Sequence, residues 1–203
     1  MEIEVKNNIP GVKVSVKQNE NGSFAILLTE IANKTLGSAK LGDTVTIGKR
    51  EYIVLGHGEE TTAVITKEPV KSMKFGESGD YAKSYVREYC NGEFYKELVE
   101  VVGKDSIVKH TVSLIANDGT GKNKFVQDNV SILTTGLYRC YREFLPPCDD
   151  WWWTATRVSD DDSLGYANSV CYVSSGGIPS WYGCGFSFGV RPVCILNSSV
   201  LVS

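Results

Sequence analysis

The sequence is poor in the residues that most catalysis uses. It has two histidines, His57 and His110, more than fifty residues apart. Neither belongs to a legible motif, so surface or strand-end histidines are expected rather than a Ser/His/Asp or Cys/His centre. Six cysteines stand at positions 90, 140, 148, 171, 184 and 194, and no two form a Cys-x-x-Cys pair. A zinc ribbon therefore lacks its close ligand pairs. Free thiols are the expectation, with Cys140 and Cys148 able to pair if oxidised. Lys and Arg form no cluster and the net charge is -3, which argues against a nucleic-acid partner. No apolar run approaches the ~20 residues that cross a bilayer, so no membrane insertion is expected. The opening stretch MEIEVKNNIPGVKVSVKQ alternates charge with Val and Ile. It shows neither the apolar core nor the cleavage site of a signal peptide. The expected location is the cytoplasm of the producing cell.

A further absence is local. After Glu143 the chain contains no Lys, Glu, Gln or Met. Asp, Ser, Gly, Tyr and Asn replace them.

What is present suits one well-buried core: 203 residues, 42% hydrophobic and 22% charged. Residues 1–40 read as a strand-rich extension, VKVSV and FAILLTEIA around a turn at Asn21-Gly22. Residues 41–203 read as the main domain. LGDTVTIGKREYIVLGHG is a second hairpin turning at Gly48-Lys49, and TTAVITKEPV is a strand ended by Pro69. Tyr81, Tyr85, Val86 and Tyr89 recur at helical spacing behind Asp80 as N-cap. Asn91-Gly92 should break that helix, and Glu93 to Val102 should form another stopped by Gly103. HTVSLIAN and NVSILTT read as strands flanking the polar loop DGTGKNK, followed by the short helix GLYRCYREF. That loop lacks the spacing of a phosphate loop. Segregated helices argue for α+β with two or three helices among short strands.

The acidic run Asp160-Asp161-Asp162 offers clustered carboxylates, which hard cations favour. It lacks the D-x-[DN]-x-[DN]-G spacing of a calcium loop, and a solvated loop is the bland alternative. Trp151-Trp152-Trp153 reads either as an anchor in the core or as a stacking platform for sugars or bases. Residues 158–188 have the composition of an adaptable recognition surface. Tyr supplies rigid contact area, while Ser, Gly and Asn adapt their hydrogen bonding, and flexible charges are depleted at interface cores. A partnerless series of Gly-rich turns has the same composition.

The pieces, taken in order, resemble a known family. WWWTAT at the start and GVRPVCIL at the end flank a Ser/Asn/Tyr/Gly stretch. This is similar to a large bacterial and phage family of domains of unknown function, whose signature runs from WWLRSP to GVRPAL. LGDTVTIGKREYIVL, SYVREYCNGEFYKEL and NVSILTT resemble that family's entry hairpin, helix and following strand. The likeness spans about residues 41–196. TAT stands in place of LRSP, so the arginine of that motif is missing unless Arg157 substitutes for it.

The resemblance implies a C-type-lectin-like fold of the branch shared with formylglycine-generating enzymes, with a loop-rich C-terminal binding face. It also implies kinship with the variable proteins of diversity-generating retroelements, in which template adenines are randomised. An AAY codon so treated yields fifteen residue types but never Lys, Glu, Gln, Met or Trp. Residues 158–188 contain none of those five except Trp181. The implied role is non-catalytic binding of a protein or surface-glycan ligand, without a cofactor, in a cell or a phage virion. The implied contacts are Tyr166, Asn168, Tyr172, Ser174, Tyr182, Cys184, Phe186 and Ser187, with Asp160, Asp161 and Asp162 at the rim. Cys171 and Cys184 would be chance outcomes at exposed positions. Trp152, Trp153, Gly189, Arg191 and Pro192 would be scaffold, with Arg191 clamping a buried carboxylate or loop carbonyls. Two alternatives remain: a formylglycine-generating-like copper and cysteine oxidoreductase using Cys171, Cys184 or Cys194, and a structural virion or tail component.

Overall fold

The computed structural model describes residues 12–19, 21–30, 34–121 and 123–203. Val12–Gln18 (β1) and Phe24–Glu30 (β2) form an antiparallel hairpin that pairs with itself alone among the described strands. Lys34–Thr35 (β3) then enters the main domain. Thr44–Ile47 (β4), Arg50–His57 (β5) and Thr61–Thr66 (β6) form a meander, followed by Lys71–Lys74 (β7). The turn between β4 and β5 is Gly48-Lys49, with Gly48 at φ 62°, a conformation that favours glycine.

Asp80 caps a single tight turn through Ala82 N, and Ser84 caps the helix itself by accepting from Arg87 N at 3.0 Å. That helix is Tyr85–Tyr89 (α1). Asn91-Gly92 does not break it, contrary to expectation. The chain widens into a π-helical turn over Cys90–Phe94 and continues as Tyr95–Val102 (α2). The Asn91 amide explains the continuity. Its Nδ2 donates to Arg87 O and Val130 O, while its Oδ1 accepts from Asn129 N and Val130 N. One side chain thus bonds a carbonyl of the preceding turn and three backbone groups at residues 129 and 130, and fastens the helix to the start of β11.

Ile107–Val108 (β8), His110–Ser113 (β9), Phe125–Asp128 (β10) and Val130–Ile132 (β11) come next. β9 pairs with β10, at the far end of the polar loop, rather than with β11. Thr135–Tyr141 (α3) leads to Trp152–Arg157 (β12). The supposed loop region then supplies Ser169–Val173 (β13), Pro179–Gly183 (β14) and Ser187–Val190 (β15). Pro192–Asn197 (β16) and Leu201–Val202 (β17) complete the fold.

The architecture is α+β, with strands outnumbering helices. One sheet has the order β11-β16-β6-β5-β4, with β8 also on β16. The other has the order β14-β13-β12-β15-β7. β17 pairs with β3, and Leu36 and Ala39 are buried, so the core begins before residue 41. One core cluster includes Phe75, Val86, Phe94, Trp153 and Val190, and a second includes Ile53, Ile65, Tyr138, Trp152 and Val173. Arg87 fastens α1 to β10 by pairing with Asp128, which is buried, at 2.7 Å. No helix among the described residues is long and apolar enough to cross a membrane.

Candidate functional site

The three tryptophans divide by the pleat of β12. Successive side chains on a strand point to opposite faces. Trp152 enters the second core cluster and Trp153 the first. Trp153 Nε1 donates to Met73 O at 3.0 Å, and Trp152 meets Tyr138 edge-on at 5.4 Å between centroids. Trp151, at the end of the strand, is exposed and stacks on Tyr172 at 4.9 Å. Two therefore anchor and one lies at the rim.

Arg191 is buried beneath this strand. Its Nε and Nη2 donate to the carbonyls of Thr66 and Lys67, and its guanidinium lies over the Trp152 ring at 5.0 Å. Of the two expected kinds of partner, it has the carbonyls. Burial lowers its pKa below the ordinary guanidinium value. Pro192 is buried and pairs with Ile132. Gly189 N donates to Trp151 O at 2.7 Å, and a Cβ at Gly189 would lie 2.7 Å from Pro69. Only glycine permits that approach of β15 to β12.

Residues 158–188 are not the run of loops expected. β13 and β14 form a hairpin through Ser174 to Ile178. Ser174 is half-buried and its hydroxyl accepts from Ile178 N, so it shapes the turn rather than facing a ligand. Tyr138 Oη donates to Gly177 O and ties that turn to α3. The alternation in SVCYV, with Val170 and Tyr172 on one face and Cys171 and Val173 on the other, is the sequence signal for β13.

Two aromatic groups emerge on opposite faces of this sheet. On the face of Val170 and Tyr172, the rings of Trp151, Tyr172 and Tyr182 surround Phe188, and Phe186 meets Tyr182 edge-on at 4.5 Å. Phe186 is 55% exposed and Tyr182 is 41% exposed. On the other face Trp181, 50% exposed, meets Tyr166 edge-on at 5.5 Å. Asn168 and Ser187 are also exposed. Tyr172 and Cys184 are not: they are 7% and 4% exposed. Tyr172 underlies the Trp151 ring and Cys184 faces the first core cluster, so both are corrected from contact to support. Cys171 is buried too, not at an exposed position. Ser180 and Trp181 are exposed on the same hairpin and were not among the expected contacts. The pattern Ser-Trp-Tyr after a Ser-Ser-Gly-Gly turn is the signal that could have found the hairpin's second strand.

The acidic run does not converge on a point. Asp160 accepts from Lys124 Nζ at 2.5 Å and Arg157 Nη1 at 2.9 Å, and Asp162 accepts from Arg157 Nη2 at 2.6 Å. Asp161 caps a turn by accepting from Ser163 N and Oγ. The Lys124 hydrogen bond holds the Asp160 carboxyl below the usual range, helped by Arg157. Among the described residues no group of His, Cys, Asp and Glu could hold a metal ion. A cleft of about 740 Å³ adjoins this network. It runs between the Ser78–Lys83 turn and residues 123–126, and no residue of β14 or β15 lines it.

Gly185-Phe186-Ser187-Phe188-Gly189 has the G-x-S-x-G spacing of a nucleophile elbow. Ser187 instead begins β15, paired with Lys74, and no strand-to-helix turn follows. Both histidines are engaged elsewhere. His57 bonds Thr62 and Ala39 O, and His110 bonds Ser131 at 2.8 Å. Comparison of the chain with protein-family models, with curated proteins and with solved structures finds no match in any of the three.

Proposed function

We propose that the chain is a non-catalytic binding protein of C-type-lectin-like fold, with a recognition surface made by the exposed residues of 158–188 and Trp151. The observation that carries this reading is the division of one tract into two layers. On one face exposed Tyr182 and Phe186 stand beside Phe188, which packs on buried Tyr172, while exposed Tyr166 lies with Trp181 on the other face and Asn168 and Ser187 are exposed at strand ends. No charged residue occurs from Ser163 to Val190, so a ligand meets aromatic rings and hydroxyls without having to strip a flexible ion of water. A rigid sheet beneath the contacts limits the entropy lost on binding. The ligand is a protein or a surface glycan, in the producing cell or on a phage virion, and the surface is diversified by template-directed mutagenesis.

The oxidoreductase alternative is disfavoured by the thiols. Burial pushes the pKa values of Cys171, Cys184 and Cys194 up, which keeps each protonated and away from a substrate.

The test is to sequence the DNA around the gene for a near-copy of codons 150–196 beside a reverse transcriptase. The expected copy differs only at adenines, with mismatches at Tyr166, Asn168, Tyr182, Phe186 and Ser187 and none at Trp152, Trp153 or Arg191. A locus without such a copy, or with mismatches concentrated in the buried layer, overturns the diversified reading.

A further inference from the structure

The second sheet has two edges, and they are built differently. β7 carries Lys71 and Lys74, and lysine on an edge discourages another strand from pairing there. β14, Pro-Ser-Trp-Tyr-Gly, carries no charge. Its hydrogen-bonding groups can be assigned from its pairing with β13. Ser174 N donates to Ile178 O and Cys184 N donates to Asn168 O, at the two ends of the shared register. Backbone groups alternate in direction along an antiparallel pair. Ser180 and Tyr182 therefore face β13, while Pro179, Trp181 and Gly183 face outward.

The outward set has a specific pattern. Trp181 presents both its N–H and its C=O. Pro179 presents a C=O and has no N–H to present. Gly183 presents an N–H, because its C=O already accepts from Phe186 N at 3.2 Å. Among the described residues nothing bonds the four remaining groups.

We propose that β14 pairs with β14 of a second copy of this chain, antiparallel, about a two-fold axis at Trp181. In that register Trp181 lies opposite its counterpart and exchanges two hydrogen bonds with it. Pro179 lies opposite Gly183 of the other copy. The free carbonyl of one meets the free N–H of the other, and the absent donor of Pro179 meets the occupied acceptor of Gly183. All four open groups are satisfied in each copy and no unpaired group is created. A strand with a complete set of backbone groups would leave a donor and an acceptor unpaired, so the edge selects its own kind.

A two-fold axis of this type runs perpendicular to the sheet and keeps equivalent faces on the same side. The Tyr182 and Phe186 groups of the two copies then flank the axis, and the Trp181 rings lie beside each other on the opposite face. The pairing stands independently of the recognition reading, but it would make such a surface bivalent. It also gives Trp181 a fixed role, and tryptophan is a residue that randomised AAY codons do not produce.

The test is the association state of the full chain across a concentration series by analytical ultracentrifugation. A reversible monomer–dimer equilibrium is expected. Trp181→Pro removes the central donor without touching a bond to β13, and should raise the dimer Kd by more than about tenfold. Trp181→Ala keeps the N–H and should raise it less. A second measurement does not depend on the fold of the proline variant. Residues directly opposite in such a pair have Cα atoms about 5.5 Å apart, within disulfide range. Trp181→Cys in a Cys140→Ser background should therefore form a disulfide dimer on mild oxidation. Lys49→Cys in the same background should not, because that residue lies on the exposed turn between β4 and β5 in the other sheet, away from the pairing edge. A chain that stays monomeric throughout the series overturns the proposal, as does equal cross-linking by the two cysteine variants.

Discussion

β12 and β14 lie two places apart in one sheet, each carries adjacent aromatic residues, and the two strands use them for opposite purposes. β12 is internal, so Trp152 and Trp153 each reach a different core cluster. β14 is an edge, so Trp181 and Tyr182 each keep roughly half their surface in solvent. Position in the sheet, not residue type, decides whether a ring is framework or contact. The buried β12 rings should contribute chiefly to stability and the exposed β14 rings chiefly to association.

The largest effect that would break this contrast is at Trp153. Trp153→Ala removes a fully buried indole and its bond to Met73, and should cost about 3–5 kcal/mol of unfolding free energy, read from urea denaturation. A loss of less than about 1 kcal/mol there would mean that the ring is not an anchor. Arg191→Met comes next. It keeps apolar bulk over Trp152 but strands the carbonyls of Thr66 and Lys67, so a loss of about 1–3 kcal/mol is expected. A gain in stability would show that the desolvation cost of the buried cation outweighs its two hydrogen bonds.

An acid titration sharpens the contrast from outside both strands. Burial lowers the pKa of His110 from its ordinary value, opposed by its bond to Val108. The unfolded state therefore binds a proton first as pH falls. The contribution is complete above the unfolded value of about 6.5 and declines as pH falls toward the folded value. His110→Gln should flatten the dependence of the urea midpoint between neutral and mildly acidic pH, while substitutions on β12 or β14 leave its slope alone. The smallest effect belongs to the outer surface. Phe186→Ser should change stability by no more than about 0.5 kcal/mol. A much larger loss would place Phe186 in the framework.

Local patterns made much of the first half of the fold legible. Gly48-Lys49 located a hairpin turn, and Gly103 located the end of α2. Asn91-Gly92 misled because helix propensity counts Asn and Gly as breakers, while the Asn91 amide is held by the backbone of residues 129 and 130, nearly forty residues away. β7 escaped notice because Lys-Ser-Met-Lys has little apolar pattern, and its partner β15 lies far along the chain. In the tract, composition suggested a recognition surface but could not assign depth. Tyr172 and Tyr182 look alike in sequence, yet one lies beneath Trp151 and the other faces solvent. Depth depends on register, and the register of the β13–β14 hairpin depends on the turn at Gly177 and its tie to Tyr138.

β16 lies between β11 and β6, in the interior of the first sheet, although its residues follow the whole tract of residues 158–188. Synthesis proceeds from the N-terminus, so β4, β5 and β6 leave the ribosome well before the strand that covers the edge of β6. Pairing over such long sequence separations is slow to form, and the growing chain carries an open sheet edge until residues 192–197 emerge. A stop codon or frameshift inside the tract leaves a chain that lacks the middle of its own sheet. Such a product lacks the strand that lies between β11 and β6 and leaves the edges of both open. The order of segments thus places translation of the complete tract before closure of the core.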